Sequence, residues 1–164
     1  MMIRAIVLMS ALLFASSPEV IVIDSVRPEE PEAIKCECGP VTEYAWTDDE
    51  LNQVAKVLWA ETGRGDTYQE KQCICYLILN RTRFGHPFPS DIVSVCKQKG
   101  EFNRGKSSDR NRQIARESLN RYQSQLDGSL QGIDFPMTAV YMARNGRVLC
   151  FYDYNWNKVY EVRS

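Results

Sequence analysis

The sequence contains only one histidine, His86, which lies between Gly85 and Pro87. Nucleophilic catalysis of the Ser-His or Cys-His type would therefore depend on a single residue in a proline-broken loop. A glycine-rich phosphate loop and an HExxH zinc motif are also missing from the sequence. These absences leave carboxylate chemistry as the main enzymatic option.

The N-terminal apolar run, residues 5–15, is shorter than the ~20 residues that a membrane-spanning helix needs. Arg4 precedes it and Ser16-Ser17-Pro18 follows it, which is the order of a secretory signal peptide. We therefore expect residues 1–17 to be a signal peptide, and the protein to be secreted or held in the cell envelope. An uncleaved N-terminal anchor is the alternative, because Pro18 directly follows the best cleavage site.

The chain also lacks a strong charge of either sign, with a formal net charge of -1. This balance does not suit a nucleic-acid-binding protein, which is usually strongly basic. Basic residues do cluster in the segment 97–121. They could favour an anionic polymer such as a bacterial wall, or they could simply form a solvated helix face.

Six cysteines are present, an even number that allows disulfides in an exported protein. A bond from Cys36 or Cys38 to Cys73 or Cys75 would tie the N-terminal segment to the folded domain, although spacing alone cannot give the connectivity. Zinc is disfavoured because Cys73 and Cys75 would lie about 200° apart around a helix. We expect no metal and no other cofactor.

The 164 residues are enough for one domain with a core, and we expect a monomer. Residues 18–45 are rich in proline and glutamate, which is typical of an extended linker. The folded catalytic domain should therefore span residues 46–164. Its helices are predicted from Thr47 to Glu61, from Asp66 or Thr67 to the prolines near residue 87, from Ser90 to Val95, and from Ser108 to Leu126.

The period of the apolar pattern changes to two near the C-terminus. Residues 139–143 and 148–152 flank Asn145-Gly146, a pair typical of a type I′ hairpin turn. The predicted fold is mainly α, of the α+β class, with a small C-terminal β-hairpin or sheet.

Glu61 is the main candidate for chemistry, since it continues the apolar stripe of the first helix formed by Leu51, Val54, Ala55 and Leu58. Its carboxyl group should therefore face the core at the last turn of the helix. Burial and the negative end of the helix dipole both favour the protonated acid. A carboxylic acid that keeps its proton can act as a general acid on a leaving oxygen.

Several ordered motifs resemble the spore cortex-lytic (SleB-type) cell-wall hydrolase family. They are Ala60-Glu-Thr-Gly-Arg-Gly-Asp66, Tyr68, Leu79-Asn80-Arg81, Phe88-Pro89-x-x-Ile92 and Gln98-x-Gly100-x-Phe102, with a weaker match at Ala139-Val-Tyr141. The resemblance implies a lysozyme-like or lytic-transglycosylase-like domain that cleaves peptidoglycan glycan strands, with Glu61 as the catalytic acid. This chain has one extra residue between Glu61 and Arg64, and Asp66 replaces the usual glutamate.

A standard glycosidase needs a second carboxylate, for which Asp66, Glu70 and Glu101 are candidates. Asp66 and Glu70 are more simply explained as charges that cap the second helix. Sugar rings stack on aromatic side chains, so we expect aromatic residues in the substrate groove. The predicted substrate-binding residues are Tyr68, Gln98, Glu101, Phe102 and Tyr141.

A lone acid fits a lytic transglycosylase acting on the bond between N-acetylmuramic acid and N-acetylglucosamine. The alternatives are a hydrolytic muramidase, a catalytically inactive wall-binding module, and a structural envelope protein in which Glu61 only pairs with Arg64 or Arg81.

Overall fold

Two capping boxes fix the starts of the first two helices. The computed structural model describes residues 41–62 and 67–163, and in it α1 spans Asp48–Glu61 and α2 spans Tyr68–Phe84. At each start a threonine accepts a backbone N–H from a glutamate three residues later, and that glutamate accepts the threonine N–H in return. Both boxes, and the end of α1 at Glu61, confirm the sequence prediction.

The third and fourth helices are α3, Ile92–Lys97, and α4, Asp109–Leu126. Ser108 caps α4 as predicted, through its side chain and the N–H of Asn111. The predicted cap of α3 is wrong by one residue. Asp91, not Ser90, accepts the N–H of Ser94 at 2.8 Å, because a carboxylate at that position reaches the first turn equally well.

A three-stranded antiparallel sheet follows, in the order β1-β2-β3, with β1 at Tyr141–Asn145, β2 at Val148–Tyr152 and β3 at Lys158–Arg163. Asn145 pairs with Val148, so the two-residue turn consists of Gly146 and Arg147 and not of Asn145 and Gly146. Of these two turn residues, only Gly146 has a positive φ, +59°. That pattern belongs to a type II′ turn, so the predicted type I′ turn is wrong.

The core forms around α2, which is buried over most of its length and packs on α3 and α4. Asn80 of α2 ties three parts of the chain together. Its Nδ2 donates to the carbonyls of Pro136 and Ala139, and its Oδ1 accepts the Tyr122 hydroxyl of α4 at 2.7 Å. The structure is therefore mostly helical with a small antiparallel sheet, which confirms the predicted α+β class.

Residues 41–45 are the only described part of the predicted linker, and they are bonded to α4. The N–H of Thr42 donates to Ser124, and Asn120 accepts both the N–H of Tyr44 and the indole N–H of Trp46. The remainder of the predicted linker and the predicted signal peptide lie outside the described residues. Within the described part, none of the helices has the length and apolar character needed to cross a bilayer.

The four described cysteines, Cys73, Cys75, Cys96 and Cys150, are buried free thiols. The predicted disulfide from Cys73 or Cys75 involves Cys36 or Cys38, which lie outside the described residues. Burial raises the pKa of the Cys73 and Cys96 thiols to about 12. These residues act as small apolar core side chains.

Candidate active site

Glu61 is the last residue of α1, and its side chain is half-buried. The helix ends there because Thr62 leaves the helical conformation, with φ -106° and ψ 120°. The Thr62 hydroxyl and N–H both turn back to the carbonyl of Leu58, which satisfies one of the free carbonyls at the helix end. The glutamate is thereby held at a well-defined helix terminus.

A cleft of about 260 Å³ opens beside Glu61. One side is the loop after α3, and the other is the β1-β2 hairpin. We call it the Glu61 cleft, and its lining residues are Glu61, Gly100, Glu101, Phe102, Asn103, Met142, Ala143, Arg144 and Leu149.

The loop after α3 contacts the Glu61 carboxylate directly. The backbone N–H of Asn103 donates to Oε1 of Glu61 at 2.6 Å. Two residues further on, the N–H of Gly105 donates to the carbonyl of Lys56 in α1 at 3.0 Å. The loop is therefore fastened to α1 at two points, and one of these fixes the orientation of the carboxylate.

Arg144 joins the hairpin to the C-terminal end of α1 and to the first turn of α2. Its Nη1 lies 3.0 Å from Oε1 of Glu70, and its Nη2 donates to the backbone carbonyl of Glu61 at 3.4 Å. Glu70 is fully buried, and its Oε2 accepts the N–H of Thr67. Glu70 therefore has a structural role, which agrees with its interpretation as a helix-capping residue.

Glu101, the second carboxylate of the Glu61 cleft, forms an ion pair with Arg81. Nη2 of Arg81 lies 3.0 Å from Oε2 of Glu101, and Nε donates to the carbonyl of Val140. The guanidinium is 2% exposed and lies over the rings of Phe88 and Phe102, at 4.8 and 4.6 Å from their centroids. Burial lowers the pKa of Arg81, and the charge of Glu101 opposes that shift.

The predicted site residues are only partly brought together. Glu61, Glu101 and Phe102 line the cleft. Tyr141 does not line it, but its ring centroid lies 5.8 Å from the Arg81 guanidinium, which also contacts Phe102.

The other two predicted residues lie apart from the cleft lining. Tyr68 begins α2, and its hydroxyl donates to Glu117 of α4 at 3.0 Å. Its pKa is raised by burial and by the negative charge of Glu117. Gln98 caps the C-terminus of α3, and its Oε1 is buried without a hydrogen-bond partner among the described residues. Asp66 lies outside those residues.

Sequence reasoning missed Asn103 and Arg144. Asn103 acts through its backbone N–H, which any residue except proline carries, so side-chain identity gave no signal. Arg144 directly precedes the Asn145-Gly146 pair and belongs to none of the motifs identified in the sequence. The available signal was a basic residue in a predicted hairpin, together with an acidic residue, Glu70, at the start of the second helix. Such residues can form an ion pair.

The chain matches no protein-family model, no curated protein and no solved structure. The described residues also contain no group of three or more side chains arranged to hold a metal ion. Only the residues and the geometry of the Glu61 cleft therefore indicate a function.

Proposed function

We propose that this protein is an exported peptidoglycan-cleaving enzyme with a lysozyme-like catalytic domain, most consistent with a lytic transglycosylase. One observation carries the proposal: a half-buried carboxyl group, Glu61, stands at the edge of an open cleft with one oxygen held by the Asn103 N–H. The sequence resemblance to the SleB-type family supplies the substrate, because its motifs contribute Glu61, Gly100 and Phe102 to this same cleft.

In the proposed reaction, Glu61 first donates a proton from Oε2 to the glycosidic oxygen that leaves from C1 of the muramic acid. The resulting carboxylate then takes the proton of the 6-hydroxyl of that same sugar. The bond from C1 to the leaving oxygen breaks, and a bond from O6 to C1 forms. No water is consumed, and Glu61 ends in its starting protonation state.

The environment of Glu101 favours a mechanism with one acid. A hydrolase that follows the common two-carboxylate scheme needs a second carboxylate free to act as a base or nucleophile. Here one oxygen of Glu101 is bound to the buried guanidinium of Arg81. A hydrolytic muramidase remains the second candidate, because Glu101 does line the cleft.

Mass spectrometry of the soluble products released from purified sacculi tests the proposal. Transglycosylation predicts 1,6-anhydromuramic acid ends, and the Glu61→Gln variant should release none. Reducing muramic acid ends would instead establish hydrolysis, for which Glu101 is the second carboxylate in the cleft lining. If the unaltered protein binds sacculi and releases nothing, the protein is a binding module and the enzymatic proposal is wrong.

A further inference from the structure

Trp156 combines a strained backbone with an exposed side chain. Its φ is +63°, which makes it the only non-glycine residue with a positive φ in the described part of the chain. The left-handed region is costly for a bulky residue. Yet the side chain is 61% exposed, so core packing does not offset that cost. Strain at an exposed aromatic side chain is an observation from which function can be inferred.

The loop that presents Trp156 is held by the carboxylate of Asp153. Oδ1 accepts the N–H groups of Asn155 and Asn157 at 2.8 and 2.9 Å, and Oδ2 accepts the Asn157 side-chain amide at 3.0 Å. The Trp156 N–H donates to the Asp153 carbonyl. Asn155, Trp156 and Asn157 are each bonded to Asp153, which fixes the backbone that carries the indole.

The indole belongs to a row of stacked rings that we call the aromatic shelf, formed by Phe84, Tyr141, Tyr154 and Trp156. Trp156 and Tyr141 stack at 4.5 Å with an angle of 3° between their planes. Tyr154 stacks on Phe84 at 5.1 Å and lies 6.2 Å from Tyr141. Phe84 and Tyr154, like Trp156, are exposed. The stacked rings cover one another's inner faces, and Trp156 stands at the end of the row, so its outer face is the one open to a ligand.

The shelf lies next to the Glu61 cleft. Tyr141 directly precedes Met142, Ala143 and Arg144 of the cleft lining, and the Arg81 guanidinium lies near both Tyr141 and Phe102. At about 260 Å³ the cleft is below the range of ~300–1,000 Å³ typical of small-ligand sites, so it has room for about one sugar ring. A glycan strand in the cleft must continue across a neighbouring surface.

We propose that the aromatic shelf is a second saccharide-binding site, on which Trp156 stacks against the apolar C–H face of a pyranose ring of the strand that occupies the cleft. The exposed indole face of Trp156 and the lack of a charged side chain among the four shelf residues match such a sugar face better than an anionic ligand. This inference rests on the proposed function for the identity of the glycan. Binding to the shelf does not itself require cleavage.

Binding of the full chain to purified sacculi tests the shelf, with Glu61→Gln present in every sample so that no cleavage occurs. Adding Trp156→Asn should weaken binding roughly 3- to 10-fold, as expected for the loss of one ring stack. Asparagine tolerates the left-handed backbone, so this variant should melt at or above the temperature of its parent. Met137→Ala is the matched control, because Met137 is also an exposed apolar side chain, and it should bind like the parent.

Unchanged binding by Trp156→Asn, together with unchanged binding by Tyr154→Ala, would overturn the shelf proposal. An equal loss in Met137→Ala would also overturn it, since the effect would then be non-specific. A parent that sediments as a dimer and becomes monomeric with Trp156→Asn would make the shelf a self-association surface instead. None of these results depends on whether Glu61 is catalytic, so the two proposals can fail separately.

Discussion

The side chain of Trp59 lies against the backbone of Gly105 so closely that a Cβ atom at Gly105 would stand 2.1 Å from Cδ1 of the indole. Only glycine permits this approach. The close approach lets the N–H of Gly105 bond to the Lys56 carbonyl. It also brings the N–H of Asn103, two residues earlier, to Glu61. A contact outside the cleft lining thus controls the position of the N–H group that donates to the Glu61 carboxylate.

Gly105→Ala should therefore destabilise the protein and slow cleavage together. Forcing a methyl group into this contact is expected to lower the free energy of unfolding by about 1–3 kcal/mol, as measured by urea denaturation. Sacculus lysis should fall at the same time, because displacement of the loop moves the Asn103 N–H away from Glu61.

A double variant separates this contact from other effects of the alanine. Trp59→Ala removes the clashing ring, so Gly105→Ala should cost much less in that background than in the unaltered protein. Equal costs in the two backgrounds would show that the contact between Trp59 and Gly105 is not the reason for the glycine.

Arg144→Ala should unfold the protein at a lower denaturant concentration. It leaves the fully buried Glu70 without its guanidinium partner, at a cost of about 2–4 kcal/mol, since Arg144 itself is partly exposed. Arg144→Lys should recover only part of that loss, because one ammonium group cannot reach both Glu70 and the Glu61 carbonyl as the guanidinium does.

Arg163→Ala is the matched control for Arg144→Ala, because Arg163 pairs with Glu161 at the exposed end of the sheet. It should leave the denaturation midpoint nearly unchanged. If both alanine variants shift the midpoint equally, Arg144 does not hold the hairpin to the helices as described.

The loop that carries Trp156 should lose its arrangement only in strong acid. The hydrogen bonds from Asn157 and Asn155 lower the pKa of Asp153 below its ordinary value of 3.8. The stability that these bonds contribute is therefore fully present above pH 3.8 and is lost as the pH falls through the lowered pKa. The amide resonances of Asn155 and Asn157, followed by NMR, should titrate with a midpoint below 3.8. A midpoint at or above 3.8 would contradict the observed role of Asp153.

The helices could be predicted because their signals are local. The threonine and glutamate of each capping box lie three residues apart, and the apolar stripe of α1 has the helical period. The hairpin turn was misplaced by one residue because Asn145-Gly146 and Gly146-Arg147 both satisfy a two-residue turn. Only the pairing of Asn145 with Val148 selects the second.

The candidate site was predictable only in part, since its contacts join distant parts of the chain. Glu61 was found from its place on a helix, but the residues around it come from a loop more than 40 positions later and from the hairpin. Tyr68 and Phe102 are both predicted to bind the substrate, with Phe102 favoured by its place in a family-like segment. Only tertiary packing places Phe102 on the cleft and Tyr68 against α4.

The role of Glu61 is tested most directly by the rate at which the Glu61→Gln variant solubilises purified sacculi, measured beside its binding to the same material. Glutamine keeps the shape of the side chain and can still accept the Asn103 N–H, but it has no acidic proton to donate. If Glu61 is the acid, lysis falls by about 10²–10⁴-fold or more while binding is retained. Lysis by Glu61→Gln at the rate of the unaltered protein would show that Glu61 is not the catalytic acid.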